Sequence, residues 1–286
     1  MRTRAECFGA ATIVNAVAIG RGAAFGIRMR AEVEADLTNG PGELTVDVHP
    51  EEAGRGLVRA CVERLSRTVG KPLAGRVATR SMIPPSRGLK SSSATANATV
   101  LAAARSVGIP LDDLEAVNLG VDAALDAGVT ITGAFDDACA TFFGGVVLTD
   151  NRRRVILARD RLPTDLVAVV AIPRGKIEKR SLRDVDFAPI AGDVAEAFDL
   201  AMAGSYGPAI EQNSRAYCRV LGIDAEPAVK ARRAGAIAAG LTGTGPAFVA
   251  LCRPGTAEDV AEAMASDTVR ARVISLNTTT ARGATA

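Results

Sequence analysis

The chain has 286 residues, with 34 Lys and Arg against 32 Asp and Glu for a net charge of +2, and 48% of its residues are hydrophobic against 23% charged. That is the balance of a globular protein, and at this length the apolar content is expected to divide between two lobes, because single cores stop growing at roughly 250 residues. A near-neutral chain without a basic block excludes a dedicated nucleic-acid binder, since neutralising a phosphate backbone takes clustered Lys and Arg; the one compact run, Arg152-Arg153-Arg154, reads as a solvated turn.

Arg2, Arg4 and Glu6 come before any apolar run has built up, which is not the order of a secretion signal and predicts a cytoplasmic protein. Residues 11–19, 25–37 and 44–48 read as strands broken by glycine, with Asn39-Gly40-Pro41-Gly42 as the turn before the third, a pattern of antiparallel sheet. Over 52–69, Leu57, Val58, Cys61, Val62 and Leu65 recur at helical spacing and Gly70 supplies the stop. A strand near 75–81 follows, then a proline- and serine-rich loop. Residues 94–107 are rich in strong helix formers and close at Gly108, and a second helix spans about 112–127.

A further strand begins at 144–148, Asp150-Asn151 reads as a hairpin turn, and 155–158 returns. A lobe boundary is expected here, dividing 1–150 from 151–286. The stretch 166–172 is a buried strand and the longest strongly apolar run, far short of the roughly 20 residues that span a bilayer, so no membrane partner is expected. Helices are expected at about 187–203, 206–221 and 225–234. The tail then reads as strand 236–241, a Gly/Thr turn, strand 246–252, helix 257–265 and strand 272–277. Helices laid on one side of antiparallel sheet predict an α+β fold in each lobe.

The five cysteines (Cys7, Cys61, Cys139, Cys218, Cys252) have no C-x-x-C spacing and read as reduced, buried thiols rather than a disulfide frame or a zinc site. With His49 the only histidine, multi-histidine metal chemistry is excluded, and carboxylates, hydroxyls and backbone amides are left to do the work.

The most informative segment is Pro84-Pro85-Ser86-Arg87-Gly88-Leu89-Lys90-Ser91-Ser92-Ser93-Ala94. The prolines pin the approach, Gly88 permits a tight backbone path, and the serines open a long alanine-rich helix whose first-turn amides have no internal acceptor. Such a helix start attracts anions, because exposed N–H groups and the positive end of the macrodipole point at whatever sits in the loop. The same serines are also what a plain helix cap would use. A Walker A loop is absent, since Gly70-Lys71 is followed by Pro72 and Gly175-Lys176 by Ile177. Gly20-Arg21-Gly22 starts like a dinucleotide fingerprint, but Phe25 stands at the third glycine position and no βαβ unit follows.

Pro85-x-x-Gly88-Leu89-x-Ser91-Ser92-x-Ala94 resembles the phosphate motif of the GHMP small-molecule kinases, the family of galactokinase, homoserine kinase, mevalonate kinase and phosphomevalonate kinase. Ala11-Thr12-Ile13-Val14-Asn15-Ala16 occupies the place of that family's first motif, and Leu241-Thr242-Gly243-Thr244-Gly245-Pro246 resembles its third. Within the family, the segments 12–16, 22–27 and Thr132-Gly133-Ala134-Phe135-Asp136-Asp137-Ala138 look most like the archaeal-type shikimate kinases. The resemblance covers essentially the whole chain. It implies a two-lobed α+β fold with ATP between the lobes, and transfer of the γ-phosphoryl group to the 3-hydroxyl of shikimate with Mg²⁺, on the way to chorismate and the aromatic amino acids. The alternatives are a relative acting on another small alcohol, such as homoserine or mevalonate, and a non-catalytic nucleotide binder.

The resemblance also implies a set of site residues. Pro85, Ser86, Arg87, Gly88, Leu89, Lys90, Ser91, Ser92, Ser93, Ala94 and Thr95 would cradle the triphosphate, with Gly243, Thr244 and Gly245 closing over it and the hydroxyl of Ser91 or Ser92 reaching Mg²⁺. Asp136 or Asp137, expected in a loop before the Gly144-Gly145 strand, would prepare the acceptor hydroxyl, and neighbours in extended chain face opposite ways, so one of them is expected to enter the site. Where the family carries a helical Glu for Mg²⁺, this chain offers Asp122 and Asp126, four apart on one helical face. Asn15 and Arg21 border the acceptor position, and Arg180 and Arg183 are further cationic partners for a substrate carboxylate. The family's first motif often carries a basic residue near its start, where this chain has Thr12 and Ile13.

Overall fold

Alanine and glycine crowd the centre of the first two strands, and that lets helices lie close against them. The computed structural model describes residues 1–51, 54–130, 132–174 and 184–285. Strand β1 (Thr3–Val14) pairs antiparallel with the long β2 (Arg21–Asn39), and Ala10 and Ala24 meet Ala140 across the interface with a helix. β2 serves two neighbours on its other edge: residues 21–25 pair with β5 (Val146–Asp150), and residues 31–39 with β4 (Leu73–Ser81). β3 (Leu44–His49) runs parallel to β4, which is possible because helix α1 (Gly56–Val69) makes the crossover between them. β6 (Val155–Asp160) pairs with β5, and β11 (Arg282–Thr285) pairs with β1 to complete the first sheet.

Three helices cover this sheet around the future site: α2 (Ser91–Ser106), α3 (Asp113–Asp126) and α4 (Phe135–Phe143). The second sheet is wholly antiparallel, in the order β10 (Val269–Ser275), β7 (Val167–Pro173), β9 (Phe248–Cys252), β8 (Ala238–Leu241). Helices α5 (Ala191–Met202), α6 (Tyr206–Leu221), α7 (Glu226–Arg233) and α8 (Ala257–Met264) accompany it, and all five cysteines are buried and free. The class is α+β, as expected. Among the described residues no helix is long and apolar enough to cross a membrane.

Local readings fail in three places. The first strand begins at Thr3 rather than residue 11 and stops at Val14, because residues 15–20 fold into a turn closed by Gly20 N–H to the Ala16 carbonyl at 2.7 Å. The strand at 282–285 has no apolar run of its own; it exists only because β1 offers an open edge. The third concerns the acids. Asp136 and Asp137 lie on the first turn of a helix, α4, which starts from a left-handed Ala134 (φ 48°). Phe135, Ala138, Cys139 and Phe142 sit at helical spacing in its sequence, and all are buried.

One buried side chain ties the phosphate-loop helix to this acidic helix. Asn97 of α2 donates through Nδ2 to the Ala138 carbonyl at 2.9 Å and to Thr141 Oγ1 at 3.0 Å. Removing a buried donor leaves its acceptors unsatisfied, so Asn97→Ala is expected to lose about 1–3 kcal/mol of stability in urea denaturation. An unchanged midpoint would show that the two helices need no such tie.

Candidate active site

Three segments far apart in sequence meet through two threonines. The Thr12 N–H donates to Thr242 Oγ1 at 3.1 Å, and the Gly243 N–H donates to Thr12 Oγ1 at 2.8 Å. Thr242 Oγ1 in turn donates to the Gly88 carbonyl at 2.8 Å. Gly88 has φ +78°, and a Cβ there would collide with the Thr242 carbonyl oxygen. The turn beyond it is closed by Gly245 N–H to the Thr242 carbonyl at 3.0 Å.

This clasp leaves the start of α2 open. The capping position is Lys90, in the left-handed region (φ 64°), and no side chain caps the helix. The serines are therefore not capping groups here. Ser91 is buried, Ser92 and Ser93 are half-buried, and the first-turn amides remain for an anion. Leu89 is buried in the core. Arg87 locks the loop rather than presenting its charge, donating to the carbonyls of Pro173 at 3.0 Å and Arg174 at 2.7 Å. Lys90 is buried, and its Nζ stands 2.8 Å from Asp137 Oδ1, beside Gly243.

The neighbouring acid faces elsewhere. Asp136 is 4% exposed, and its Oδ1 accepts from Asn151 Nδ2 at 2.7 Å. Its Oδ2 lies over Gly22, where an added Cβ would come within 2.5 Å of it. Burial, and then the charge of Asp137, push the Asp136 carboxyl up to about 7, against the opposing pull of Lys90 and the Asn151 hydrogen bond. Asn15 sits at the end of β1. Its N–H donates to Asn213 Oδ1 at 2.9 Å, its carbonyl accepts from Tyr217 OH at 3.0 Å, and its Oδ1 accepts from the Val17 N–H at 3.0 Å. An uncapped helix start, a buried ammonium and a buried carboxyl of raised proton affinity thus converge, which is a set of groups suited to holding an anionic tail beside a proton acceptor.

The model of the GHMP kinases N terminal domain matches residues 56–145, and that of the GHMP kinases C terminal matches residues 211–270. The chain is 46% identical over 267 residues to the shikimate kinase of Methanothrix thermoacetophila, covering 93% of this chain and 91% of that one. The chain belongs to the GHMP kinase family. The shikimate kinase of Pyrococcus abyssi is 41% identical over 269 residues, covering 93% and 96% of the two chains. Among solved structures, the homoserine kinase of Cytophaga hutchinsonii matches with a TM-score of 0.78 at 17% identity, covering 99% of this chain and 97% of that one. The mevalonate kinase of Methanococcus jannaschii matches at 0.75 and 14%, covering 97% and 99%.

Within this GHMP kinase the structure gathers the loop and helix start 85–95, the turn 243–245, Asp136, Asp137 and Asn15. Three other sequence candidates have partners of their own. Arg21 stacks its guanidinium 4.9 Å from the Phe198 ring of α5, on the opposite face of β2 from the one Gly22 turns to Asp136. Asp126 is held by Arg64 at 2.5 and 2.6 Å, and Asp122 by Arg154 at 2.7 Å, so both carboxylates are engaged by guanidinium groups. Arg180 and Arg183 fall outside the described residues. His49 is exposed at the end of β3. An open groove across the outer face of the first sheet is lined by Arg4, Glu34, Asp47 and Arg76, whose charges pair with one another, as on a solvated sheet face.

Sequence reasoning missed Asn151, Asn213 and Tyr217 as parts of the site. The last two are four apart on α6, polar positions among the buried Ala209, Ile210 and Ala216, and that pattern was the available signal. The raised Asp136 carboxyl also carries a stability consequence. Its folded proton affinity exceeds the ordinary carboxylate value of about 3.9, so the folded state holds an extra proton between there and about 7, and stability falls as pH rises through that window. Asp136→Asn removes this loss, so the melting temperature of the variant should gain on wild type from pH 4 to about pH 7 and level off above it. A constant difference across that range would refute the burial argument.

Proposed function

We propose that this protein is a shikimate kinase, transferring the γ-phosphoryl group of ATP to the 3-hydroxyl of shikimate. The observation that carries the reaction type is the meeting of the uncapped α2 start with Lys90, Asp137 and Asp136. The acceptor is argued from the likeness to the archaeal shikimate kinases over 93% of the chain.

Phosphoryl transfer asks a protein to align a hydroxyl with the γ-phosphate and to balance spreading negative charge. The amides of Ser91, Ser92 and Ser93 receive the phosphate oxygens, and Lys90 adds its charge beside Gly243. Asp137 keeps that ammonium in place. Asp136 takes the proton of the acceptor hydroxyl through the oxygen left over Gly22, and a group titrating near the working pH suits a general base. The turn of Asn15 to Gly20 borders the same oxygen, since Ala16 Cβ also closes on the Gly22 position.

The donor set fits magnesium held mainly by substrate oxygens: among the described residues no three His, Cys, Asp or Glu gather into a site, and the Ser92 hydroxyl stands at the helix start. When bound, the ion would neutralise charge on the phosphates. Metabolic catalysis of this kind needs no nucleic-acid or membrane partner, and it fits a cytoplasmic protein.

A coupled ADP-release assay with shikimate, homoserine, mevalonate and galactose tests the acceptor, with turnover expected on shikimate alone. Turnover on another alcohol would move the assignment within the family, and ATP binding without turnover on any would leave a nucleotide-binding relative. Asp136→Asn is expected to lower kcat by about 100-fold or more with little change in the KM for ATP. If Asp137→Asn gives that pattern instead, the base is the neighbour.

A further inference from the structure

The hairpin turn after β5 contains a side chain that the reaction as described does not use. Asn151 is buried, and it grips Asp136 at two points: its Nδ2 donates to Asp136 Oδ1 at 2.7 Å, and its Oδ1 accepts the Asp136 N–H at 3.1 Å. The same Oδ1 accepts from Thr149 Oγ1 at 2.7 Å, and the Asn151 N–H donates to the Gly20 carbonyl at 2.8 Å. These contacts settle which way the amide points. A backbone N–H can only donate, so the Asn151 oxygen must face it, and the NH₂ group must face the carboxyl.

From this geometry we infer that Asn151 is a positioning residue for the phosphoryl transfer: it fixes the Asp136 carboxyl by one oxygen and leaves the other, over Gly22, to meet the acceptor hydroxyl. The inference rests on Asp136 being the base. Two effects follow. The rotamer of the carboxyl is held, so Oδ2 keeps its place over Gly22. The donated hydrogen bond also stabilises the ionised form, drawing the proton affinity down toward the working range.

The other titratable groups around Asp136 are Asp137 and Cys139 on its own helix, Lys90 from the phosphate loop and Tyr217 from α6. Arg152 lies over Gly20, two residues from Gly22. β2 places Gly22 against the carboxyl, and the uncharged Thr149 of β5 and Asn151 of the turn stand beside it. Burial and the charge of Asp137 oppose ionisation, and Lys90, the Asn151 hydrogen bond and a hydrogen bond from the Asp137 backbone N–H favour it. Deleting the Asn151 donor therefore leaves Lys90 and the Asp137 backbone N–H to favour the charged form, and the carboxyl must rise.

The test is the pH profile of kcat/KM for shikimate in wild type, Asn151→Ala and Asn151→Ser, with folding checked by thermal melting; the serine variant keeps a small polar side chain should the alanine variant fail to fold. The ascending limb is expected to move to higher pH by about one to two units in the alanine variant, the size of a hydrogen bond to a charged group. The KM for ATP should stay within about twofold, as for a group acting away from the nucleotide. A uniform fall in kcat with an unmoved limb would mean a merely structural role and would overturn the inference.

A second measurement does not depend on turnover. Carbon-13 NMR titration of the Asp136 carboxyl, assigned by its loss in Asp136→Asn, should show the same upward move in either Asn151 variant. An unmoved carboxyl, with Asp136→Asn inactive, defeats the role of Asn151 alone. A moved carboxyl with Asp136→Asn fully active defeats the assignment of the base instead.

Discussion

A single hydroxyl ties three distant segments together. Thr242 Oγ1 accepts from the amide of Thr12 and donates to the carbonyl of Gly88, across sequence separations of 230 and 154 residues. Closing loops of that length costs little more than closing short ones, because the entropy grows only with the logarithm of length. What the contact gains is partners for buried backbone groups that no regular element satisfies. It demands a glycine at position 88, where the backbone of residue 242 leaves no room for a Cβ. The loop is held from the side by this clasp and from below by Arg87, so its rigidity does not depend on a capping side chain. The amides at the start of α2 can therefore stay open.

That openness sets the electrostatics of everything nearby. A buried ammonium without a partner would be costly, and Lys90 is relieved by Asp137 at 2.8 Å. With this pair neutral overall, a second buried carboxylate a residue away has no counter-charge of its own, and Asp136 keeps its proton until the pH is well above the ordinary carboxylate range. The positive end of α2, which no side chain caps, is then the main unbalanced feature beside these groups. A polyanion arriving at that end supplies what the helix lacks.

The loop 84–90 and the helix it opens were legible because their constraints are local. Prolines, a glycine, serines and an alanine-rich run each constrain the backbone within a few residues, and the helix begins within three residues of the expected start. The clasp partners at Thr12 and Thr242 were legible only as motifs. The pairing of Asp122 and Asp126 on one face of α3 was visible from their spacing, but the arginines that engage them come from α1 and from the turn after β5, which spacing does not reveal. Asn213 was hidden for the same reason: its contact with Asn15 spans 198 residues. Asn151 lies only 15 residues from Asp136, yet it looked like an ordinary turn residue, because what brings them together is the register of β5 against β2.

The acids show how much a single local misreading can change. In extended chain, adjacent side chains point about 180° apart, and one of the two would have been turned out of the cleft. On the first turn of α4 they diverge by about 100°, so both stay inside with different neighbours: Asp137 reaches Lys90 and Asp136 reaches Asn151. The division of labour between them follows from that angle. It also explains Gly22, since any larger residue there would fill the space occupied by the free oxygen of Asp136 and by Ala16. A small strand residue facing an acidic helix turn is then the requirement for a buried carboxyl with room for one of its oxygens over the strand. The short helix and the glycine opposite it have to be read as one unit.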